Sequence, residues 1–558
     1  MKLLVKRYVL ENAIRYKGKA SINAVMGKVL AENPKLKAKV REVKEIIERV
    51  VKEINLWPVE KQIKELKKIA PKPVKLHKGK KKGLPKLPKV EGKVIMRFEP
   101  SPSGPLHVGH AYVLSLNSEY CKRYKGELIL RIGDTNPENI YERAYEMIKE
   151  EAMWLTKNNI KRVIIQSDRL EIYYRYMERL IELGKGYVCL CKPDDYKRLI
   201  LRQKACPCRG LEPEEQMKRW KKMFNKYKQG EAVARIKTNL KHKNPAMRDF
   251  PVFRINRTKH PRHPEYRVWP LMNMAVAVDD IELKITHVIR AKDHYDNAKR
   301  QEYIYRYLNK PIPVALFVGR INFVGMNVSC SKTRPLIENG TYKGWDDIRL
   351  PFLSALRRRG YQPEAFIKYA IEVGLSLTDK TVTKEEFFKT INAFNKEIID
   401  AKANRYFFIE NPVKIKIEGA PKQIVELDLH PDYRKGGRVF VTKDEFFVTK
   451  QDYESFEDGK LYRLMDCLNF VKQGSKFVFD SLDYGKYKAI GEKIVHWLPK
   501  DKNLVKVAVL MDDGKFRYGL GEERMDNIKE GEIVQLERFG FARLDSKADK
   551  LVFWFTHK

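Results

Sequence analysis

Acidic side chains are in short supply: 72 Asp and Glu stand against 112 Lys and Arg, a net charge of +40. Such an excess repels itself in a compact chain unless a polyanion is the usual partner. A phosphate backbone is the common one, and a lysine-rich proteome is the alternative source of the bias. Cysteine is scarce too, seven in 558 residues, which excludes a disulfide scaffold. No apolar run approaches the roughly 18–20 residues of a membrane span. Met1–Glu11 is too short and too interrupted by charge for a secretory h-region. No membrane role and a cytoplasmic location are therefore expected. What is present is ample hydrophobic material, 43% of the chain, spread over a length that at roughly 100–200 residues per domain suggests several domains.

Residues 1–71 carry helical periodicity, with Leu3, Leu4, Tyr8 and Ala13, then Val40, Val43, Ile46, Ile47 and Val50, and read as an N-terminal helical domain. Residues 72–92 open with KPVKLHKGKKKGLPKLPK, which holds no acid and cannot bury a core. This is a basic linker, either a clamp on phosphates or a solvated tether. From Lys93 strands alternate with helices: KVIMRF, ELILRI and RVIIQS as strands, with helices starting near His107, Asn139 and Glu171. Such alternation predicts a parallel, doubly wound α/β sheet. Its two halves are residues 93–187 and 266–339, separated by an insertion, 188–265, that holds two cysteine pairs and basic loops. Residues 340–403 read as helical. Short alternating segments over 404–558 suggest β-barrels, so the fold class is multidomain α/β plus all-β.

Chemistry concentrates in Arg97–His110, RFEPSPSGPLHVGH, which leaves a strand through a Pro/Ser/Gly loop and enters a helix near His107. A helix N-terminus offers unpaired N–H groups and a positive dipole end to phosphate. Gly109, without Cβ, lets a nucleotide approach the backbone. His107 and His110 are three apart on one helical face and can both donate to phosphate oxygens. A second constellation is Cys189-x-Cys191 with Cys206-x-Cys208. Four soft ligands in two close pairs can close a tetrahedral, structural Zn2+ site; the alternative is four ordinary thiols. Cys121 and Cys467 fall in helical or strand patterns and read as packed thiols.

Set between strand and helix and followed by RIGDTNPE (131–138), the H-x-G-H segment resembles the HIGH motif of the class I aminoacyl-tRNA synthetases in its glutamyl/glutaminyl form. THVIRAKDH (286–294) agrees, and SCSKTR (329–334) is similar to the family's KMSKS loop in archaeal style. So do GWDDIRLPFLSALRRRGYQPEAF (344–366), NRYFFIENPV (404–413) and KIVHWLP (493–499), so the resemblance to the archaeal-type glutamyl enzymes covers nearly the whole chain. It implies a Rossmann-like catalytic domain, an acceptor-stem-binding insertion with zinc, a helical stem-contact domain and anticodon-binding barrels. The implied reaction is ATP-dependent activation of glutamate followed by transfer to the terminal ribose of tRNA. ATP with Mg2+, tRNA(Glu) and L-glutamate are its expected partners, and the chain is expected to act as a monomer.

By the same resemblance His107, Gly109, His110, Ser331 and Lys332 bind ATP, and His107, His110 and Lys332 are catalytic. Glutamate falls to Arg97, Glu99, Ser101 and Arg290, the arginine forks suiting a side-chain carboxylate that cannot be buried unpaired. Glutaminyl enzymes have an uncharged residue at the position of Arg290, so Arg290 favours glutamate. The alternatives are a glutaminyl-tRNA synthetase, a non-enzymatic tRNA-binding paralogue and a small-molecule nucleotidyltransferase. Several positions depart from the family pattern. Ser329 replaces the first lysine of KMSKS and Cys330 its methionine, with Arg334 as the candidate substitute cation. Met272 and Val276 stand where Tyr and Asn are usual. Gly133 replaces an acid that helps hold the substrate ammonium. Glu99 is the expected substitute from the opposite wall, with Ser101 beside it; otherwise Glu99 points to solvent and Asp134 or water covers the ammonium.

Overall fold

The structure, a computed structural model, describes residues 1–15, 18–33, 36, 39–69 and 83–558. The lysine run 72–82 of the expected linker lies outside them. The chain divides into two units, Met1–Gly83 and Leu84–Lys558. In the first, α1 (Lys2–Arg15), α2 (Ile22–Glu32), α3 (Val40–Ile54) and α4 (Val59–Ile69) enclose fully buried Val5, Val9, Val25, Val29, Val43 and Ile47. On α3 the buried stripe is Val43, Ile47, Val51 and Ile54, the spacing a 3.6-residue repeat demands. Leu3 does not join it and is 67% exposed. Two residues before buried Val5, it lies about 200° round the helix, on the far side.

The second unit begins with β1 (Ile95–Phe98), α5 (Val108–Arg123), β2 (Glu127–Ile132), α6 (Ala144–Thr156), β3 (Ile160–Ile165) and α7 (Leu170–Glu182). The chain then leaves this sheet. β4 (Gly186–Cys189), α8 (Pro193–Leu201), α9 (Pro213–Asn225), β5 (Val233–Ile236), β6 (Pro251–Ile255) and β7 (Val268–Pro270) follow. The four strands pair antiparallel in sequence order, and they bracket the expected insertion, 188–265, on both sides. α10 (Met272–Glu282), β8 (His287–Ala291), α11 (Tyr295–Tyr307) and β9 (Val314–Val318) complete a parallel sheet of order β3-β2-β1-β8-β9.

Beyond it come β10 (Ile321–Val324), α12 (Cys330–Glu338), α13 (Leu353–Arg359), α14 (Pro363–Val373), β11 (Lys380–Thr383) and α15 (Lys384–Ile399). Residues 340–403 are therefore not wholly helical: β11 pairs parallel with β10, its KTVT composition favouring an extended chain. Phe366, Tyr369, Phe387 and Ile391 of α14 and α15 share one core with Met96, Leu114 and Leu130 of β1, α5 and β2. This helical layer is a continuation of the sheet's own core.

After Ala403 two seven-stranded sheets follow, and each closes on itself. The first has Asn404–Tyr406 at one edge and Phe408–Glu410 at the other. Only Phe407 separates these edges in sequence, so the sheet curls until its ends nearly meet. The second has edges Gly491–Val495 and Leu498–Pro499, joined through His496 and Trp497, which forces the same closure. Curled sheets of this kind remove exposed edges. Among the described residues no helix is long and apolar enough to cross a membrane.

Candidate active site

In the parallel sheet β1, β2 and β3 step outward one way, while β8 and β9 step the other way. At such a reversal the carboxyl ends of the strands open a ligand crevice. Arg97 stands near the end of β1 and Arg290 near the end of β8. Between them lies a cavity of about 260 Å³ lined by Arg97, Glu99, His110, Met272, Val276 and Arg290, among others. Ser101 is exposed and lies outside this lining.

The arginines of the cavity are not equivalent. Arg97 is held by Asp280 of α10, Nε to Oδ1 at 2.9 Å, and by Glu99 at 3.2 Å. Fully buried Arg131 of β2 donates to the same two acids, at 2.8 Å to Asp280 and 2.6 Å to Glu99. Burial alone would push the Asp280 carboxyl up, but Arg97 and Arg131 outweigh it and hold it down at about 2. Burial likewise works against the Arg131 cation, and Glu99, Asp280 and Asp279 overcome it, raising its pKa. Arg290 has no acid in contact. Its Nη1 donates to Gln301 at 3.0 Å, and its Nε is buried with no partner among the described residues. Burial and the nearby Arg97 cation lower its pKa to about 10, still charged at neutral pH. Arg290 is the cation of this cavity that awaits an anion.

Glu99 is the one carboxylate residue lining the cavity. Only its Oε2 takes the two arginines; Oε1 finds no hydrogen-bond partner among the described residues. A Cβ built on Gly133 would sit 3.6 Å from Glu99 Cγ and 3.7 Å from Oε1. The Glu99 side chain thus lies over Gly133. Asp134 is committed elsewhere: its carboxylate accepts from Tyr145 Oη, Ser167 Oγ and the Ser167 N–H at 2.7–2.8 Å.

His107 caps α5. The Gly109 N–H donates to His107 Nδ1 at 3.0 Å, and the His107 N–H donates to His110 Nδ1 at 3.4 Å. With both Nδ1 atoms accepting, each ring carries its proton on Nε2, which remains a donor. The rings stack with centroids 3.8 Å apart. Burial lowers both pKa values, that of His110 to about 4, so the pair is neutral at pH 7. Two expectations change here. The first N–H groups of α5 are already engaged, Val108 on Pro351 O as well, so the donors without a partner at this end, among the described residues, are the imidazole Nε2–H groups and not the bare helix end. The space above Gly109 belongs to the His107 ring, 2.9 Å from a built Cβ, and not to an approaching ligand.

SCSKTR forms the first turns of α12. Ser329 is the N-cap, its side chain accepting from the Lys332 N–H, and its hydroxyl lies 3.1 Å from Ser331 Oγ. Exposed Lys332 has no side-chain partner among the described residues. Cys330 is buried, its thiol against Pro105 O at 3.6 Å, which docks this turn on the 97–110 loop. Arg334 lies 4.8 Å over the Tyr141 ring and 3.7 Å from Glu338.

In the insertion the sulfurs of Cys189, Cys191, Cys206 and Cys208 lie within 4.8 Å of one another, the only such group among the described residues. Cys189 and Cys206 are 3.8 Å apart and Cys191 and Cys208 3.9 Å. A tetrahedron of thiolates at about 2.3 Å from a zinc ion has edges of about 3.8 Å. The Leu190 N–H points at Cys208 Sγ, 3.4 Å away, a stabilising donor for thiolate charge. Cys121 and Cys467 are buried singly elsewhere, and burial pushes both thiols up to about 12.

Arg131, Asp279, Asp280 and Gln301 belong to this site without being among the residues expected from sequence. A signal existed for three of them: an arginine inside ELILRI and two acids inside the apolar MNMAVAVDDIE are charges where burial is expected. Gln301, which orients Arg290, left none.

Comparison with known proteins agrees with this architecture. The family model described as "tRNA synthetases class I (E and Q), catalytic domain" matches residues 93–401, and two anti-codon binding domain models of the same group match 403–481 and 494–545. A relative named glutamate--tRNA ligase, from Methanococcus maripaludis, is 42% identical over the full length of both chains. One of the same name from Pyrococcus abyssi is 44% identical, covering 99% of each chain. A crystal structure of a glutamate tRNA ligase from Elizabethkingia meningosepticum in complex with its amino acid is 19% identical, covers 56% of this chain and 70% of its own, and has a TM-score of 0.40.

Proposed function

Since the chain belongs to the class I tRNA synthetases of the E and Q family, we propose that it is a glutamate-specific member, ligating L-glutamate to tRNA(Glu). The observation that carries glutamate over glutamine is Arg290, half-buried at the cavity wall with a buried, unpaired Nε and no acid of its own. A carboxylate completes that site, whereas a neutral amide leaves the cation uncompensated. Gln301 fixes the guanidinium plane, and Arg97, tied to Asp280, gives a second, weaker contact. Met272 and Val276 supply an apolar wall for the substrate methylenes. Glu99 Oε1 accepts the α-ammonium from the side left open by Gly133.

Two steps follow. An oxygen of the glutamate α-carboxylate bonds to the α-phosphorus of ATP as the bond to the β-phosphate oxygen breaks, releasing pyrophosphate. The terminal ribose hydroxyl of tRNA then bonds to the glutamyl carbonyl carbon, and AMP leaves. The protein positions reactants and stabilises charge, with little covalent work of its own. His107 and His110 donate from Nε2 to phosphate oxygens, and Lys332 meets the charge growing on pyrophosphate. Mg2+ comes in with the ATP phosphates. Charging of purified tRNA with labelled glutamate and with glutamine tests the reading. Glutamate incorporation that needs both ATP and tRNA is expected; preferential glutamine charging, or none of either, overturns it.

The four cysteines hold a structural Zn2+, closing the insertion with no open coordination position. Protein purified without added metal is expected to contain about one zinc per chain, and Cys206→Ser to lose it and loosen the insertion, because metal-binding energy is local folding energy. Elemental analysis with limited proteolysis checks this; zinc-free protein of full charging activity would refute it.

A further inference from the structure

The end of the 97–110 loop is held by a group outside the catalytic set. Leu106 precedes His107, and its N–H donates at 2.6 Å to Oε2 of Glu151, a residue of α6. The other oxygen, Oε1, accepts the Ser354 N–H at 3.0 Å. Glu151 is 4% exposed, so both amides would lack an acceptor without it. Between these two bonds the chains pair directly: the Leu353 N–H donates to Leu106 O and the Val108 N–H to Pro351 O, with His107 and Phe352 bridged antiparallel. Ser354 is a fixed reference. The far end of its helix is bolted to the first of the two seven-stranded sheets, Arg358 to Asp545 at 2.7–2.8 Å and Arg359 to Thr556 O at 2.9 Å.

We infer that Glu151 is a positioning residue for the charging reaction, a carboxylate clamp that sets His107 and His110 at their working height by binding the N–H groups of Leu106 and Ser354 at once. It touches no substrate. His107 Nδ1 and the rotamer of its ring depend on where the backbone of Leu106 and His107 lies, and Glu151 is the one acceptor of the Leu106 N–H among the described residues. Burial pushes the Glu151 carboxyl up to about 8, while the Leu106 and Ser354 N–H groups work against that shift. In either protonation state both oxygens can accept, which an amide cannot match: one end of Gln is a donor facing an N–H. A misplacement of about 1 Å at reacting groups can cost about a hundredfold in rate.

The inference rests on the glutamate-charging reading, and its test separates the two. Glu151→Gln keeps the volume, so a packing role alone predicts parental kinetics. A clamp role predicts a kcat for glutamyl-tRNA formation lower by about ten- to a hundredfold, a glutamate KM within about threefold, and faster hydrogen exchange at the Leu106 amide. Glu151→Asp, which keeps the two-acceptor carboxylate, recovers part of the kcat. Parental kcat in folded Glu151→Gln overturns the clamp, as does equal loss in the Gln and Asp variants. Unchanged Leu106 exchange overturns it even if the parent charges no tRNA, an outcome that would by itself sink the functional reading.

Discussion

Arg290→Cys is expected to lower kcat/KM for glutamate by two to three decades or more while leaving the KM for ATP within a few-fold. The cause is the asymmetry among the cavity's arginines. Arg97 already has Asp280 and Glu99, and Arg131 has the same two acids. Arg290 has only the neutral Gln301. Removing one partner of a buried charge pair costs about 3–5 kcal/mol, because the other charge stays desolvated and alone. In this variant the stranded charge is the substrate's own γ-carboxylate, so the loss appears with bound substrate and not in the free protein. Thermal unfolding of the unliganded variant should accordingly move little. Burial lowers the Arg290 pKa in the free protein, a sign that its charge is under-compensated until an anion arrives. Steady-state charging kinetics with varied glutamate and varied ATP are the measurement. A variant that used glutamate within a few-fold of the parent would remove Arg290 from the recognition of the side chain.

Glu99→Ala should raise the KM for glutamate by about ten- to a hundredfold, the range for a lost charge-assisted hydrogen bond of about 1.5–3 kcal/mol, and should also lower the melting temperature. The second effect follows from Arg131, fully buried, which loses one of its two close acids. The first follows from Glu99 being the one acid that lines the cavity, with an Oε1 that has no hydrogen-bond partner among the described residues. Adding Gly133→Glu to Glu99→Ala should restore much of the affinity. Gly133 adopts no left-handed backbone, and its built Cβ makes only ordinary contacts, 3.5 Å to Gln166 and 3.6–3.7 Å to Glu99. The new side chain therefore enters the volume the alanine vacates. Gly133→Glu alone should not help, since it brings a second carboxylate against Glu99. Parental glutamate KM in the Glu99→Ala variant, or no recovery in the double variant, would separate Glu99 from the substrate ammonium.

Much of this site is legible along the chain because its signals are local. H-x-G-H at the mouth of a helix, paired cysteines and an arginine in THVIRAKDH announce themselves by spacing and by the strand or helix that carries them. Apolar runs place β1 and β2 nearly to the residue, because burying a strand on both faces demands such a run, while the edge strand β3, with Lys161 and Arg162 exposed, begins and ends two residues before RVIIQS. Alternation of strand and helix leaves few topologies for the sheet. The same logic is blind to β11, a four-residue polar strand whose only reason to form is β10 beside it.

The alternation of strand and helix, the family of the chain and the residue types that gather at the ends of β1 and β8 are all written along the chain. Which charges cancel is settled in three dimensions. Arg97 meets Asp280 across 183 residues, Arg131 meets it across 149, and Glu151 reaches back to Leu106 and forward to Ser354. Desolvation makes each of these partnerships obligatory, yet nothing local encodes it: a buried charge must find an opposite charge or a donor, and the backbone brings that partner from wherever the fold has placed it. That is why Arg97 and Arg131 are spoken for while Arg290 has no acid partner among the described residues.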